Sequence, residues 1–178
     1  MPKDVQSYIR KLEAVERVNR LYPRRAGMIA LEFVKDRFRQ QNWIGDRTET
    51  WPRRSYTIGG QGRNTLTGKG AGSLRRSYRI TRSNPQIVAI GSDKPYAVTH
   101  NEGMRIPITE NMRGLFMAKH IDAKERGKVK DAQFWLNMAT TKKKFIEIPR
   151  RQHIGESQYM IRKIERQFVA DHTKALKS

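Results

Sequence analysis

Tyr78-Arg79-Ile80-Thr81-Arg82-Ser83-Asn84-Pro85-Gln86-Ile87-Val88-Ala89-Ile90-Gly91 is the stretch on which the fold class turns. Tyr78 and Ile80 alternate with Arg79 and Thr81, the two-residue period of a strand with one covered face. Ser83-Asn84-Pro85 is turn chemistry, and Gln86 to Ile90 is a β-branched run that stops at Gly91. The pattern predicts an antiparallel hairpin over 77–91. The other long periodic segments of the chain are helical. The combination is α+β: N-terminal helices, a small antiparallel β-sheet, a C-terminal helix and a long extended loop or arm, expected as a single domain over 1–178.

Upstream of the hairpin, Val5, Ile9, Leu12, Val15, Val18 and Tyr22 recur at three- and four-residue steps, which lines them along one helical stripe. Pro23 is expected to end or bend that helix. A second stripe follows through Ala26, Ile29, Ala30, Phe33, Val34 and Phe38, with Glu32, Lys35, Asp36, Arg37 and Arg39 on its outer side. Both stripes read as core packing.

Downstream, Tyr96 to His100 predicts a short helix closed by Gly103. Residues 104–144 are expected to form a helical insertion. Thr109 would cap one helix through Met112, Leu115, Phe116 and Lys119, and Asp131 another through Phe134, Trp135 and Met138. Phe145-Ile146-Glu147-Ile148 reads as a strand running into Pro149. Met160, Ile161, Ile164, Phe168 and Ala175 share a face of a final helix, with Glu156 and Ser157 suited to its first turn. No segment repeats at a fixed period.

Composition narrows the function. The chain has 178 residues, with 37 Lys plus Arg against 17 Asp plus Glu, a formal charge of +20. Such an excess implies a polyanionic neighbour: nucleic acid, a membrane surface or an acidic protein face. No apolar run reaches the ~18 residues that would cross a bilayer. The opening Met1-Pro2-Lys3-Asp4 lacks the apolar core of a secretion signal, so the expectation is a product made and used without export by that route. The absence of cysteine excludes disulfides, thiolate metal sites and cysteine nucleophiles.

The charge is concentrated in the least periodic part of the sequence. Residues 43–72 carry eight glycines and prolines and read as an extended basic loop or arm. From Arg47 to Arg82 there are nine basic residues against Glu49 alone, a net of 9 − 1 = +8. Arg47, Arg53, Arg54, Arg63, Lys69, Arg75 and Arg76 are the candidates to face a neighbouring subunit or DNA. Trp51, Tyr56 and Tyr78 are interleaved with them but are too few for a stacking platform. No helix-turn-helix, zinc finger or RNA-binding signature accompanies them, so a nucleic-acid contact would be directed at phosphate and insensitive to sequence.

Catalytic chemistry is hard to assemble from this sequence. His100, His120, His153 and His172 do not pair at metal-binding spacing. The carboxylates are scattered, which argues against acid–base pairs and against a two-metal nuclease. Thr67-Gly68-Lys69-Gly70-Ala71-Gly72-Ser73 is not a phosphate loop: Gly62 and Gly68 are one residue too far apart and Gly70 stands where a hydroxyl should hold magnesium. The expectation is a non-enzyme with no cofactor and no metal.

Four ordered motifs resemble the phage virion morphogenesis family. They are Trp51-Pro52; Leu66-Thr67-Gly68 with Ser73-Leu74-Arg75-Arg76-Ser77; Ile90-Gly91-Ser92 followed by Pro95-Tyr96-Ala97 and His100-Asn101-Glu102-Gly103; and Ile148-Pro149-Arg150 ending at Gly155. The matching positions are Trp51, Thr67, Gly68, Leu74, Ser77, Gly91, Tyr96, Ala97, His100, Gly103, Pro149, Arg150 and Gly155, within a resemblance that runs from about Ala26 to Leu176. The sequence departs from the family pattern where Lys69 to Gly72 insert extra residues. It departs again where Arg151 and His153 replace a usual proline and aromatic, and in the span Met104 to Lys144.

The resemblance implies a small α+β component of the tailed-phage neck. Such a protein forms a ring, commonly a hexamer, as a tail completion, tail terminator or head–tail joining protein. Its partners would be other copies of itself, the portal or connector, the tail tube or tail terminator, and genomic DNA passing through the lumen without sequence preference. It would reside in the virion neck or tail after assembly in the host cytoplasm, with no membrane partner. The competing reading is a sequence-independent nucleic-acid-binding protein with a basic arm.

Overall fold

The N-terminal periodicity produces one helix, α1 (Lys3–Gln40), which continues past Pro23. Of the two outcomes expected at Pro23, an end or a bend, the helix does not end there. The computed structural model describes residues 3–53, 65–67 and 73–177. A proline inside a helix removes the hydrogen bond to the carbonyl four residues earlier, at a cost of roughly 3 kcal/mol. Here packing on both sides of Pro23 offsets that cost. Tyr22 meets Phe168 edge to face at 4.5 Å, Asn19 Oδ1 lies 2.8 Å from His172 Nε2, and the Arg25 guanidinium binds Asp171 at 2.5 Å. All three partners belong to α6 (Gln158–Lys177), the expected final helix. Ser157 caps α6: its hydroxyl accepts from the Met160 amide at 3.2 Å and donates to the Ile44 carbonyl at 2.6 Å.

The chain folds into two compact units. The first comprises Met1–Trp51, Asn64–Ala97 and Gln152–Ser178. In it α1 is closed by the next residue, Gln41, whose φ of 54° is left-handed. The Gln41 amide secures that turn, donating to the Phe38 and Thr65 carbonyls and accepting from the Thr65 amide at 2.7 Å. Then β1 (Asn42–Ile44) and β2 (Thr48–Thr50) form a short antiparallel hairpin, and Trp51 N donates back to Gln41 O at 2.8 Å. The beginning of the expected 43–72 arm is therefore ordered structure.

The single turn α2 (Leu74–Ser77) leads into β3 (Arg79–Ser83) and β4 (Val88–Gly91), the hairpin expected from the sequence. Arg79 faces Gly91 and Ile80 faces Ile90; the register then shifts so that Arg82 faces Ala89. Asn84 Oδ1 accepts from the Gln86 and Ile87 amides and holds the turn. The core gathers Val34, Phe38, Trp51, Leu74, Tyr78 and Ala97, flanked by Leu31, Leu66, Ile90 and Ile154.

The second unit comprises Pro52–Arg63 and Val98–Arg151. The helix α3 (Ala97–Glu102) closes at Gly103, as expected, with φ +78°. The segment 104–144 is not wholly helical. It opens with β5 (Met104–Pro107), which pairs antiparallel with β6 (Phe145–Ile148), matching Met104 to Ile148 and Pro107 to Phe145. Between them lie α4 (Glu110–Glu125) and α5 (Val129–Thr140).

Thr109 caps α4 as expected, accepting from Met112 N at 3.3 Å. Asp131 does not cap α5; Lys128 holds that position and Asp131 sits within the first turn. The reason is the preceding turn. Gly127, at φ +67°, donates to Lys124 O while Lys128 N donates to Ala123 O, a Schellman closure of α4 that starts α5 at once. The two helices pack through the small buried Ala123 and Ala132 and a stacked Phe116–Trp135 pair at 5.8 Å. The Arg113 guanidinium donates to the Ala139 and Thr141 carbonyls at 3.0 and 2.7 Å, satisfying the open end of α5.

At Gly27, α1 meets the β3–β4 hairpin so closely that a Cβ would collide with the Val88 Cγ2 methyl and lie 3.3 Å from Ile80 Cδ1. Both neighbours are stiff β-branched side chains. Gly27→Val should lower stability by roughly 2 kcal/mol through overpacking, read as a lower urea midpoint at unchanged slope.

Candidate functional site

The positions singled out in the sequence separate into two clusters, one in each unit. In the first unit they surround His153. Phe38 arrives from α1, Trp51 from the end of β2, Tyr78 from the junction of α2 and β3, and His153 from the segment before α6. The His153 ring is 0% exposed. Its centroid lies 4.8 Å from Phe38, 5.4 Å from Tyr78 and 6.1 Å from Trp51. Phe38 and Trp51 meet edge to face at 5.4 Å. Two hydrogen bonds fix the arrangement: His153 Nε2 with Tyr78 Oη at 2.8 Å, and Trp51 Nε1–H to the Gln152 carbonyl at 2.8 Å.

Burial pushes the Tyr78 phenol up to about 12, so it stays protonated near neutral pH. His153 is sealed from solvent within this cluster. The cluster packs the interior of the first unit.

Other motif positions in this unit have similar roles. Leu74 is in the core, and Ser77 Oγ bonds the Leu74 carbonyl at 2.7 Å and Ser92 Oγ at 2.6 Å. A Cβ on Gly91 would lie 3.3 Å from Thr81 Cγ2. Gly155 has a φ of +145° and lies against Gln152 and Trp43. Thr67 is half-buried and Tyr96 is 38% exposed. Gly68 lies outside the described residues.

In the second unit, His100, Gly103, Pro149 and Arg150 meet where α3 turns into β5 beside the end of β6. A Cβ on Gly103 would stand 2.9 Å from Arg150 N and 3.1 Å from Ile148 O, so only glycine fits this close approach at a positive φ. The Arg151 amide donates to His100 O at 2.8 Å, and its Nε donates to Pro52 O at 3.1 Å. The Arg151 side chain is buried; Pro149 and Arg150 are exposed. Burial, together with the nearby Arg151 charge, lowers the His100 pKa, which favours the neutral imidazole.

The basic candidates are less convergent. Arg47 is exposed and lies 3.6 Å from Glu49. Arg53 and Arg76 are exposed, and Arg75 is half-buried on α2. Arg54, Arg63 and Lys69 lie outside the described residues. Arg37, expected on the outer side of α1, is instead 5% exposed: it donates to Asn42 Oδ1 at 2.7 Å and stacks over Phe33 at 4.7 Å. Sequence periodicity missed Arg37 because an arginine carries no apolar signal even when its stem and guanidinium are packed. His153 left a trace only as a departure from the family pattern.

Among the described residues no three His, Asp or Glu side chains are grouped to hold a metal ion, and no helix is long and apolar enough to cross a membrane. No family model, curated protein or solved structure matches the chain.

Tyr78→Phe leaves a buried imidazole nitrogen without its phenol and should lower stability by about 1–3 kcal/mol in urea titration. His100 has a folded-state pKa below its ordinary 6.5, so the unfolded chain protonates first as pH falls. That differential destabilises the fold progressively below about pH 6.5 and is absent above it. The urea midpoint should therefore fall between about pH 7.5 and about pH 5.5, and less steeply in His100→Gln.

Proposed function

We propose that this chain is a ring-forming structural component of the tailed-phage neck, a tail completion, tail terminator or head–tail joining protein that works by assembly and transforms no substrate. The observation that carries this reading is where the resemblance-bearing segments lie. In chain order they deliver Trp51, Leu74, Ala97 and Ile154 to a single core against Phe38, and Gly103 to its close approach with Arg150. These are requirements of a scaffold, since none of these residues presents a reactive group to solvent.

A ring subunit needs self-complementary or head-to-tail surfaces, and a surface that tolerates passing DNA. Both units expose large apolar side chains, including Tyr8, Leu12 and Met28 in the first and Leu115, Ile121 and Val129 in the second. The +20 charge suits a lumen wall or an acidic partner ring, the portal or tail side of the joint. Exposed arginines such as Arg53, Arg76 and Arg82 can hold phosphate weakly and without sequence preference.

The same arginines also support the competing reading of a sequence-independent nucleic-acid-binding protein. Salt separates the two. At about 1 M salt, where exposed charges are screened within about 3 Å, a neck protein should sediment as a closed assembly of several copies. A species of single-chain mass whose DNA affinity falls steeply with salt would favour the competing reading instead.

A further inference from the structure

The second unit carries a basic groove that includes none of the motif positions or basic candidates described above. It is lined from the C-terminal end of α5 and from the β5–β6 ribbon and holds about 480 Å³. Arg105, Lys143 and Lys144 stand beside an apolar floor of Ile108, Met138 and Phe145. Lys142-Lys143-Lys144 is the longest run of like charge in the chain, and all three lysines are exposed. Their backbone is held in place. Arg113 donates to the Thr141 carbonyl at 2.7 Å, the Lys143 amide donates to Thr141 Oγ1 at 3.3 Å, and the Ile108 amide donates to the Lys144 carbonyl at 2.8 Å.

The charges around this groove do not cancel. Glu147 also lines it, and Arg105 Nε lies 3.4 Å from that carboxylate, so these two offset each other. Glu110, at the start of α4, is engaged by Arg113 at 3.8 Å. Lys142, Lys143 and Lys144 hold no ion pair among the described residues, which leaves a local count of 5 − 2 = +3, all of it on the lysines. Because the backbone is already fixed, an anion need order only the lysine side chains. The floor narrows the kind of anion. Phe145 is 40% exposed, and the Arg105 guanidinium lies over its ring, 4.8 Å from the centroid, with its own side chain exposed. A nucleotide meets both features: phosphate pairs with lysine, and a base stacks on a guanidinium or an aromatic ring. A duplex offers only its phosphates, because its bases are stacked on one another. An acidic peptide offers charge without an obligatory planar ring.

We propose that the groove at Lys143, Lys144 and Phe145 binds single-stranded nucleic acid, with phosphates on the lysines and one base on the Arg105–Phe145 pair. Nothing in the groove reads the edge of a base, so the binding has no sequence preference. The residues are those of the second unit and not the arginines of the first. Binding here needs no assembly of copies, so the site goes beyond the ring reading and stands or falls apart from it.

The test is fluorescence anisotropy of the full chain with a labelled oligothymidylate of about 12 nucleotides, titrated between about 50 and about 200 mM salt. Lys142→Gln with Lys143→Gln and Lys144→Gln should weaken binding about tenfold or more and flatten the salt slope by about 2, at ~0.7 for each of three lost phosphate contacts. Phe145→Leu should weaken binding about fivefold or more with the salt slope unchanged. If Phe145→Leu lowers the melting temperature, Phe145→Ile replaces it with the same readout. A duplex of the same length should bind less tightly and not respond to the Phe145 substitution. A wild type that leaves the oligonucleotide free, or a lysine variant that binds it as the wild type does, would overturn the site. A Phe145 substitution without effect would overturn the choice of a single strand. Polyglutamate that displaces the label as readily as an equal charge of unlabelled oligothymidylate would overturn the choice of nucleic acid in favour of an acidic protein face. The ring reading is decided separately, by assembled mass.

Discussion

The first unit depends on the burial of one histidine. His153 follows the second unit's strand β6 by only a few residues and precedes the cap of α6, yet it ends up at 0% exposure among Phe38, Trp51 and Tyr78. Separate segments of the chain supply those rings. An imidazole can occupy such a place only if its nitrogens are satisfied, and the Tyr78 phenol at 2.8 Å meets part of that demand. The second requirement is that Trp51, also buried, satisfies its indole N–H on the neighbouring Gln152 carbonyl. Polar satisfaction and aromatic packing at this point are therefore the same event.

The same unit accounts for how α1 tolerates its proline. A helix of 38 residues interrupted at Pro23 would bend or break in isolation. Here Tyr22, Asn19 and Arg25 tie both sides of the proline to α6, and Phe38 anchors the far end in the aromatic cluster. The sequence pattern exposed the helical periodicity correctly but could not weigh a local break against tertiary contacts made more than a hundred residues away. The same limit hid β5. Met104-Arg105-Ile106-Pro107 has a charge and a proline in so short a span and becomes a strand only because β6 lies beside it. The strands β1 and β2 are below the length at which alternation can be recognised.

Elements whose signals are local were legible. The β3–β4 hairpin follows from alternation on either side of Ser83-Asn84-Pro85, and Asn84 performs the turn chemistry its position implies. Gly103, Thr109 and Ser157 stand at the helix boundaries that their types favour. The candidate site was legible in part. Trp51, Leu74 and Ala97 are core residues, and Gly103 is at a close backbone approach. Arg151 and His153 were not readable as buried, because each holds a hydrogen-bond partner from a distant part of the chain, and Arg37 was not because its packed stem carries no apolar signal.

A chain with a sealed aromatic cluster, a glycine held against backbone at Gly103 and a formal charge of +20 is proposed to work by assembly with other surfaces. If it does so in a phage neck, gold-labelled antibody against the chain should mark one narrow band at the junction of head and tail in electron micrographs of finished virions. Virions that carry no label, or carry it away from that junction, would contradict the account.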